Sequence, residues 1–434
     1  MKAPDHVLST AMGLPPRVSE PASFASRSLH RNGLALVASS GLSSLLGVAY
    51  WAIAARTTGP ASVGENSALL AAMLTVSTLG QMGLGSSLVT YLPRSGNPTR
   101  LVRNTYLVAV GTSLVLALLL LAASVSVRTP LVGLRTPALA VFFVVAVAGW
   151  TIFTLQDNVL TGLRRAIWVP FENVAYSLIK IALLLVWARS MGGYGIFVAW
   201  VIPALILIPP ISGAAFLRFI PNRALVAEAK AGTEMPFVRY AAGDTIGSFL
   251  GLISTTFIPV LVTWKLGATA NGFFYVPWTL AQSLDLLSVN FGMSLIAEGA
   301  RQANQARLLG GLLAGRMLLV VLLLVVVGMV AAPWVMAVFG SGYSANATPV
   351  LRVLLLGSLV RSYNTFGLSL ARAELKPMRI VAMQSTVATI VLGGSFIGMG
   401  TIGIMGPAVA WLAGQVGVAL VANLVSTAPR LRLG

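Results

Sequence analysis

The sequence predicts an all-α polytopic membrane protein of about twelve transmembrane helices, arranged as two six-helix pseudo-repeat bundles. Three observations predict it. Of 434 residues, 57% are hydrophobic and only 9% are charged, against roughly 25% charged in a soluble domain, and the mean hydropathy is +0.87. Apolar runs long enough to cross the hydrocarbon layer, about 20 residues for roughly 30 Å, recur twelve times. One polar hinge also occurs twice, 208 residues apart.

Residues 1–28 are polar and carry Pro4, Pro15, Pro16 and Pro21. They lack the apolar stretch and small-residue cleavage site of a signal peptide, so they read as a disordered cytoplasmic tail. The apolar runs follow at 33–55, 66–91, 103–125, 138–161, 171–189 and 194–216, then at 240–263, 272–296, 308–331, 348–370, 380–398 and 403–425.

Positive charge orients them. The loops after the second, fourth, sixth, eighth and tenth runs hold 14 basic residues, whereas the alternate loops hold only Arg56, Arg128, Arg135, Arg189 and Lys265. Both termini are therefore expected on the cytoplasmic side of a multi-pass plasma-membrane protein. The net charge of +18 is spread over short loops rather than gathered into one patch, which argues against nucleic acid as a partner. The absence of cysteine excludes disulfides, thiolate metal sites and a thiol nucleophile. The only histidines, His6 in the tail and His30 at the start of the first run, argue against histidine-based metal or triad chemistry.

The hinge AARTTGPASVGENSALLA (54–71) returns as VTWKLGATANGFFYVPWT (262–279), with Gly59 and Gly64 falling on Gly267 and Gly272. On the same offset Arg31 falls on Arg239, and Gly195-Ile196 on Gly403-Ile404. The expected organisation is a six-helix bundle over 29–216, a cytoplasmic linker over 217–239, a second bundle over 240–425 and a tail over 426–434. Parallel repeats of this kind build alternating-access transporters, with the substrate site between the halves.

The stretches ARTTGPASVGENSA (55–68) and LGQMGLGSSLVTYLPR (79–94) resemble the polysaccharide flippase family of the multidrug/oligosaccharidyl-lipid/polysaccharide exporter superfamily. The features carrying the resemblance are Ala55-Arg56 before Gly59-Pro60, then Gly64, Gly83-Leu84-Gly85 and the Leu92-Pro93-Arg94 exit. The resemblance implies two six-helix bundles around a central cavity. It also implies export of a polyprenyl-diphosphate-linked oligosaccharide, with membrane lipids and a polysaccharide polymerase or glycosyltransferases as partners, and no cofactor. Peptidoglycan-precursor flippases of the superfamily usually carry two further helices, which the apolar runs do not supply.

Charge inside a membrane span is costly and usually faces a cavity or a partner. The cations expected to meet the diphosphate are Lys180, Arg316 and Arg361, with Arg352 as a further candidate. Arg352 and Arg361 stand nine residues apart, about 180° around a helix of 3.6 residues per turn, so on a straight helix only one can face a cavity. Lys180 could instead pair with Glu172, since Glu172, Tyr176 and Lys180 step by four along one face. Arg56 in the outer hinge and Arg31 at the inner mouth read either as interfacial anchors or as substrate contacts. The membrane acids Asp157, Glu172, Asp244 and Asp285 could pair with these cations or bind a coupling ion, and pairing ranks first. Asn32, Ser39, Ser43, Tyr176, Gln282 and Asn364 are candidate polar lining, although small and hydroxyl residues also serve tight helix packing.

Two patterns carry no weight. Gly398-x-Gly400-x-x-Gly403 matches a dinucleotide fingerprint as text but lies between membrane spans with no preceding strand. Asn346-Ala347-Thr348 is a three-residue glycosylation pattern that arises readily by chance. The scattered acids and short loops exclude the clustered catalytic groups of a membrane glycosyltransferase. A cation-coupled small-molecule exporter is the competing reading, but its usual acid in the first helix is missing here.

Overall fold

In a computed structural model the chain is described over residues 44–126, 131–163, 165, 168–188, 193–220, 235–299, 303–373 and 376–427. The side chains of 86, 90, 94, 125, 126, 132, 235–245, 286–299, 303–314, 316, 373 and 422–427 also lie outside the described residues. All regular structure among the described residues is helical. The first half contains α1 (44–58), α2 (Pro60–Gln81), α3 (Leu84–Tyr91), α4 (Pro98–Ser126), α5 (Pro137–Gly162), α6 (Trp168–Trp187) and α7 (Gly195–Ala214). The second contains α8 (Met235–Thr256), α9 (Ile258–Leu266), α10 (Ala268–Gly299), α11 (Ala303–Ala337), α12 (Ser341–Ala373), α13 (Pro377–Ile402) and α14 (Met405–Thr427).

These helices occupy the twelve expected places, with two spans each divided. The run at 66–91 breaks between α2 and α3, where Met82 and Gly83 both take positive φ, 42° and 76°. The run at 240–263 breaks at Phe257, because Pro259 in the first turn of α9 cannot continue the hydrogen-bond ladder of α8. α7 carries Pro203, Pro209 and Pro210 and loosens into a π-helical turn over Ala215–Phe219.

Among the described residues eight helices are long and apolar enough to span a membrane by length and composition. α2 is not one of them, and its surroundings explain why. It is rich in Ser, Thr and Asn, yet Asn66, Ser67, Thr75 and Ser77 are buried, and it packs against α4, α5 and α7 of its own half and α8, α9 and α10 of the other. Protein encloses it, so it needs no lipid-compatible surface. Leu119, Leu185, Leu323, Val330 and Ile397, by contrast, expose more than half of their area, the apolar coat a bilayer requires.

The repeated hinge is repeated in conformation. Gly59 has φ 84° and ψ 171°, and Gly267 has φ 88° and ψ 169°, a region open in practice to glycine alone. Each opens the helix that carries the second glycine of the 208-residue offset, Gly64 or Gly272, and the two helices cross there. A Cβ on Gly64 would sit 1.7 Å from the Ala268 carbonyl oxygen, and one on Gly272 would sit 2.0 Å from that of Pro60. Since Ala268 is Pro60 plus 208, the crossing has the reciprocity of a two-fold axis. Asn271 reinforces it, donating from Nδ2 to the Gly64 carbonyl and to Ser67 Oγ, both at 2.9 Å.

The match of Gly195 with Gly403 is not conformational. Gly195 is the first residue of α7, whereas Gly403, at φ 59°, ends α13. Of the fingerprint-like glycines, Gly398 serves packing: it lies so close to Gly406 that a Cβ on it would stand 2.9 Å from the Gly406 Cα.

Candidate functional site

α6 presents Glu172, Tyr176, Ser177, Lys180 and Leu184 inward and turns Phe171, Leu178 and Leu185 outward. The inward stripe places Lys180, only 4% exposed, against three aromatic faces. Its Nζ lies 3.9 Å from the Trp200 ring centroid, 4.8 Å from Tyr176 and 4.9 Å from Tyr50. Hydrogen bonds fix two of these rings: the Tyr50 hydroxyl donates to the Ile196 carbonyl at 2.6 Å, and that of Tyr176 donates to the Trp200 carbonyl at 3.0 Å. A desolvated cation over such faces gains about 2 kcal/mol or more per favourable contact.

The alternative role for Lys180, pairing with Glu172, is not realised. Eight residues rise about 12 Å along a helix at 1.5 Å each, and Tyr176 stands between the two. Both Glu172 carboxylate oxygens are buried without a hydrogen-bond partner among the described residues. Asp157, on α5, likewise has its Oδ1 buried without a hydrogen-bond partner among the described residues.

Lys180 borders a cavity of ≈ 780 Å³ between the halves. The first half contributes Ser44, Trp51, Trp150, Asn173, Tyr176 and Lys180, and the second contributes Tyr275, Thr279, Gln282, Ser283 and Phe339. Trp51 and Tyr275 bridge the halves on the hinge side, edge to face with centroids 4.8 Å apart. The lining thus combines one buried ammonium, aromatic faces and scattered amides and hydroxyls. Such a surface can hold an anion beside sugar-like or apolar groups.

Arg361 lies elsewhere. Its Nε sits 2.8 Å from Asp285 Oδ2, and its guanidinium stands 5.0 Å from the Trp411 ring centroid. Asp285 is one helical turn from Gln282, so the ion pair lies beside the cavity without lining it. Arg361 instead lines a smaller pocket within the second half, together with Asn364 and Gln415. Arg352 faces away from both: it is exposed, and its Nε donates to the Met329 carbonyl of α11 at 3.1 Å. Arg56, also exposed, ties the hinge to the end of α11 by donating to the Val338 carbonyl at 2.5 Å.

Of the remaining candidates, Tyr176 and Gln282 line the cavity, whereas Asn364 bonds Gln415 in the smaller pocket. The side chains of Arg316 and Asp244, and residues Arg31, Asn32, Ser39 and Ser43, lie outside the described residues. Among the described residues no three His, Asp or Glu side chains converge as metal ligands would. The aromatic lining residues Trp51, Trp150, Trp200 and Tyr275 were not anticipated from the sequence. Their signal was present, because these rings sit inside apolar runs rather than in the interfacial belts where Trp and Tyr usually gather.

Comparison with known structures places the architecture. The chain superposes on the lipid II flippase MurJ in an inward closed conformation with a TM-score of 0.69 at 11% identity, covering 91% of this chain and 87% of that one. An inward-facing multidrug resistance MATE family transporter of the MOP superfamily gives 0.60 at 16% identity, over 88% and 93%. The Vibrio cholerae MATE transporter VcmN in the bent form gives 0.52 at 15%, over 92% and 97%. At these identities the likeness is one of fold. A comparison of the sequence with curated proteins gives no match. A family profile described as "Polysaccharide biosynthesis protein" does match, over residues 29–296. That profile spans more than half of the chain, from the first apolar run through the hinge crossing and both sides of the cavity, and the chain belongs to the polysaccharide biosynthesis protein family.

Proposed function

We propose that this protein is a flippase that moves a polyprenyl-diphosphate-linked oligosaccharide from the cytoplasmic to the outer leaflet by alternating access, for surface polysaccharide biosynthesis. The observation that carries the reading is the cavity between the halves, in which buried Lys180 meets amide, hydroxyl and aromatic lining. A diphosphate requires a cation in a low-dielectric slab, and Asn173, Gln282 and Ser283 suit hydroxyl-rich sugars. The lining runs from Trp51 and Tyr275 on the hinge side toward Val169 and Pro170 at the start of α6, a helix end that the charge bias assigns to the cytoplasm. Together with the glycine crossing at the hinges, this supports an inward-facing state. In this reading residues 29–216 and 240–425 are the moving halves, 217–239 links them, and both termini are cytoplasmic in the plasma membrane. A polymerase or glycosyltransferases act beside it, and the protein is a transporter rather than an enzyme.

Deleting the gene tests the proposal. Lipid-linked glycan should accumulate on the cytoplasmic leaflet and surface polysaccharide should fall. One observation favours a second reading, cation-coupled export of small molecules: the lining rings of Trp51, Trp150, Trp200 and Tyr275 suit apolar and aromatic ligands. Unchanged surface glycan together with new sensitivity to cationic drugs would select that reading.

A further inference from the structure

The second half contains a pocket of its own, ≈ 190 Å³, bounded by α12, α13 and α14. It shares no lining residue with the cavity between the halves. Its polar lining includes Arg361, Asn364, Arg372, Gln384 and Gln415, with no carboxylate among the described lining residues. Asp285 reaches Arg361 from α10, and an Nη of Arg372 donates to Ser248 Oγ at 3.2 Å.

Two buried amides leave specific hydrogen-bonding capacity in this pocket. Asn364 Nδ2 donates to the Gln415 main-chain carbonyl at 2.8 Å and to Gln415 Oε1 at 3.1 Å. The main-chain bond fixes the Asn364 amide, and the side-chain bond then fixes Gln415. What remains is a donor, Gln415 Nε2, and an acceptor, Asn364 Oδ1, both without partners among the described residues. Gln415 is 1% exposed and Asn364 is 7% exposed. Buried polar groups are nearly always satisfied, so a leftover donor and acceptor in one pocket call for a ligand that supplies both.

We propose that this pocket binds a small protonated oxyanion of the phosphate class, independently of what the cavity between the halves carries. The guanidiniums of Arg361 and Arg372 face its oxygens, Gln415 Nε2 and the Gln384 amide donate to others, and Asn364 Oδ1 accepts from the P–OH. Arginine's planar fork matches phosphate oxygens, and a bare cation would meet two guanidiniums. The space is about six water volumes at ~30 Å³ each, enough for one phosphate and too little for a lipid tail. The phosphate could be free in solution or belong to a lipid headgroup reaching in.

The test is thermal unfolding of the purified full-length protein in detergent, titrated with inorganic phosphate against chloride at equal ionic strength. Phosphate should raise the Tm of the wild type. Gln415→Met and Gln384→Met, which replace an amide with an apolar chain of similar length, should each weaken the apparent affinity about tenfold, the loss of one good charge-assisted contact. Lys180→Met should respond as the wild type does. To separate the two sources, the protein in phosphatidylcholine nanodiscs with and without phosphatidic acid is examined by native mass spectrometry. Phosphatidic acid retained by the wild type and lost from Gln415→Met identifies a headgroup, and a response to inorganic phosphate alone identifies a soluble ion. No response to either source would overturn the proposal, as would both glutamine variants responding like the wild type. Loss of the response in Lys180→Met would also overturn it, by moving the anion to the cavity between the halves.

Discussion

Gly59 and Gly267, 208 residues apart, hold the same backbone conformation to within a few degrees. Five residues beyond each stands the glycine that lets α2 and α10 cross, Gly64 over Ala268 and Gly272 over Pro60. The first pair allows the chain to turn through a conformation that residues with side chains rarely adopt, and the second allows two backbones to touch. The hinge is therefore a contact between the halves as well as a turn within each.

Gly64→Ala should keep the halves from closing at the hinge end. Its Cβ would meet backbone, the Ala268 carbonyl, which cannot rotate aside as a side chain would. The chain contains no cysteine, so the pair Ser67→Cys and Asn271→Cys, built where Asn271 Nδ2 lies 2.9 Å from Ser67 Oγ, reports on this contact directly. A short thiol cross-linker should join the pair efficiently, and adding Gly64→Ala should cut the yield several-fold while the protein remains in the membrane. An undiminished yield would mean that the crossing adjusts without opening.

Gly59→Ala and Gly267→Ala should each destabilise the protein by about 1–3 kcal/mol, the range for a non-glycine residue held in this region. A Cβ at either position meets nothing within 4 Å, so the effect isolates backbone strain from crowding. Thermal unfolding in detergent measures it, and equal losses at the two sites would confirm that the halves use the hinge alike.

Lys180→Met should leave folding intact and remove transport. The side chain makes no ion pair among the described residues, and replacing a buried charge by an apolar chain is often neutral or stabilising. Export of lipid-linked glycan should fall by about tenfold or more, roughly 1.4 kcal/mol of lost interaction, with a normal Tm. Normal export would remove Lys180 from the substrate path.

Breaking the Asp285–Arg361 pair from one side should cost more than removing both partners. Arg361→Met leaves Asp285, 5% exposed, as an uncompensated charge, at a cost of about 3 kcal/mol, the lower end for a buried pair because the arginine is partly exposed. Adding Asp285→Leu should restore part of that stability. Unfolding midpoints of the two single variants and the double variant give the coupling.

Arg352→Gln should change export by less than about twofold, within the ±0.5 kcal/mol of ordinary surface substitutions. Its guanidinium serves the Met329 carbonyl on α11 and touches neither cavity. An export assay in membrane vesicles decides this, and a large loss would show that α11 and α12 move as part of the transport cycle.

Sequence and tertiary structure divided this molecule between them. Composition, the spacing of apolar runs and the 208-residue offset determined a helical membrane protein of doubled plan, because those properties are written along one dimension. The hinge glycines were legible for the same reason, since a backbone turn is a local demand. The nine-residue spacing of Arg352 and Arg361 also showed that a straight helix would send them to opposite faces. Which surroundings each would meet was not legible, nor was the aromatic cage, whose Tyr50, Tyr176 and Trp200 come from three helices. Likewise Glu172 and Lys180 share one helix face yet remain apart, while Asp285 and Arg361 meet across 76 positions of chain. Contacts of this kind depend on how each helix is rotated and tilted against its neighbours, and only the packing of the complete bundle sets those angles.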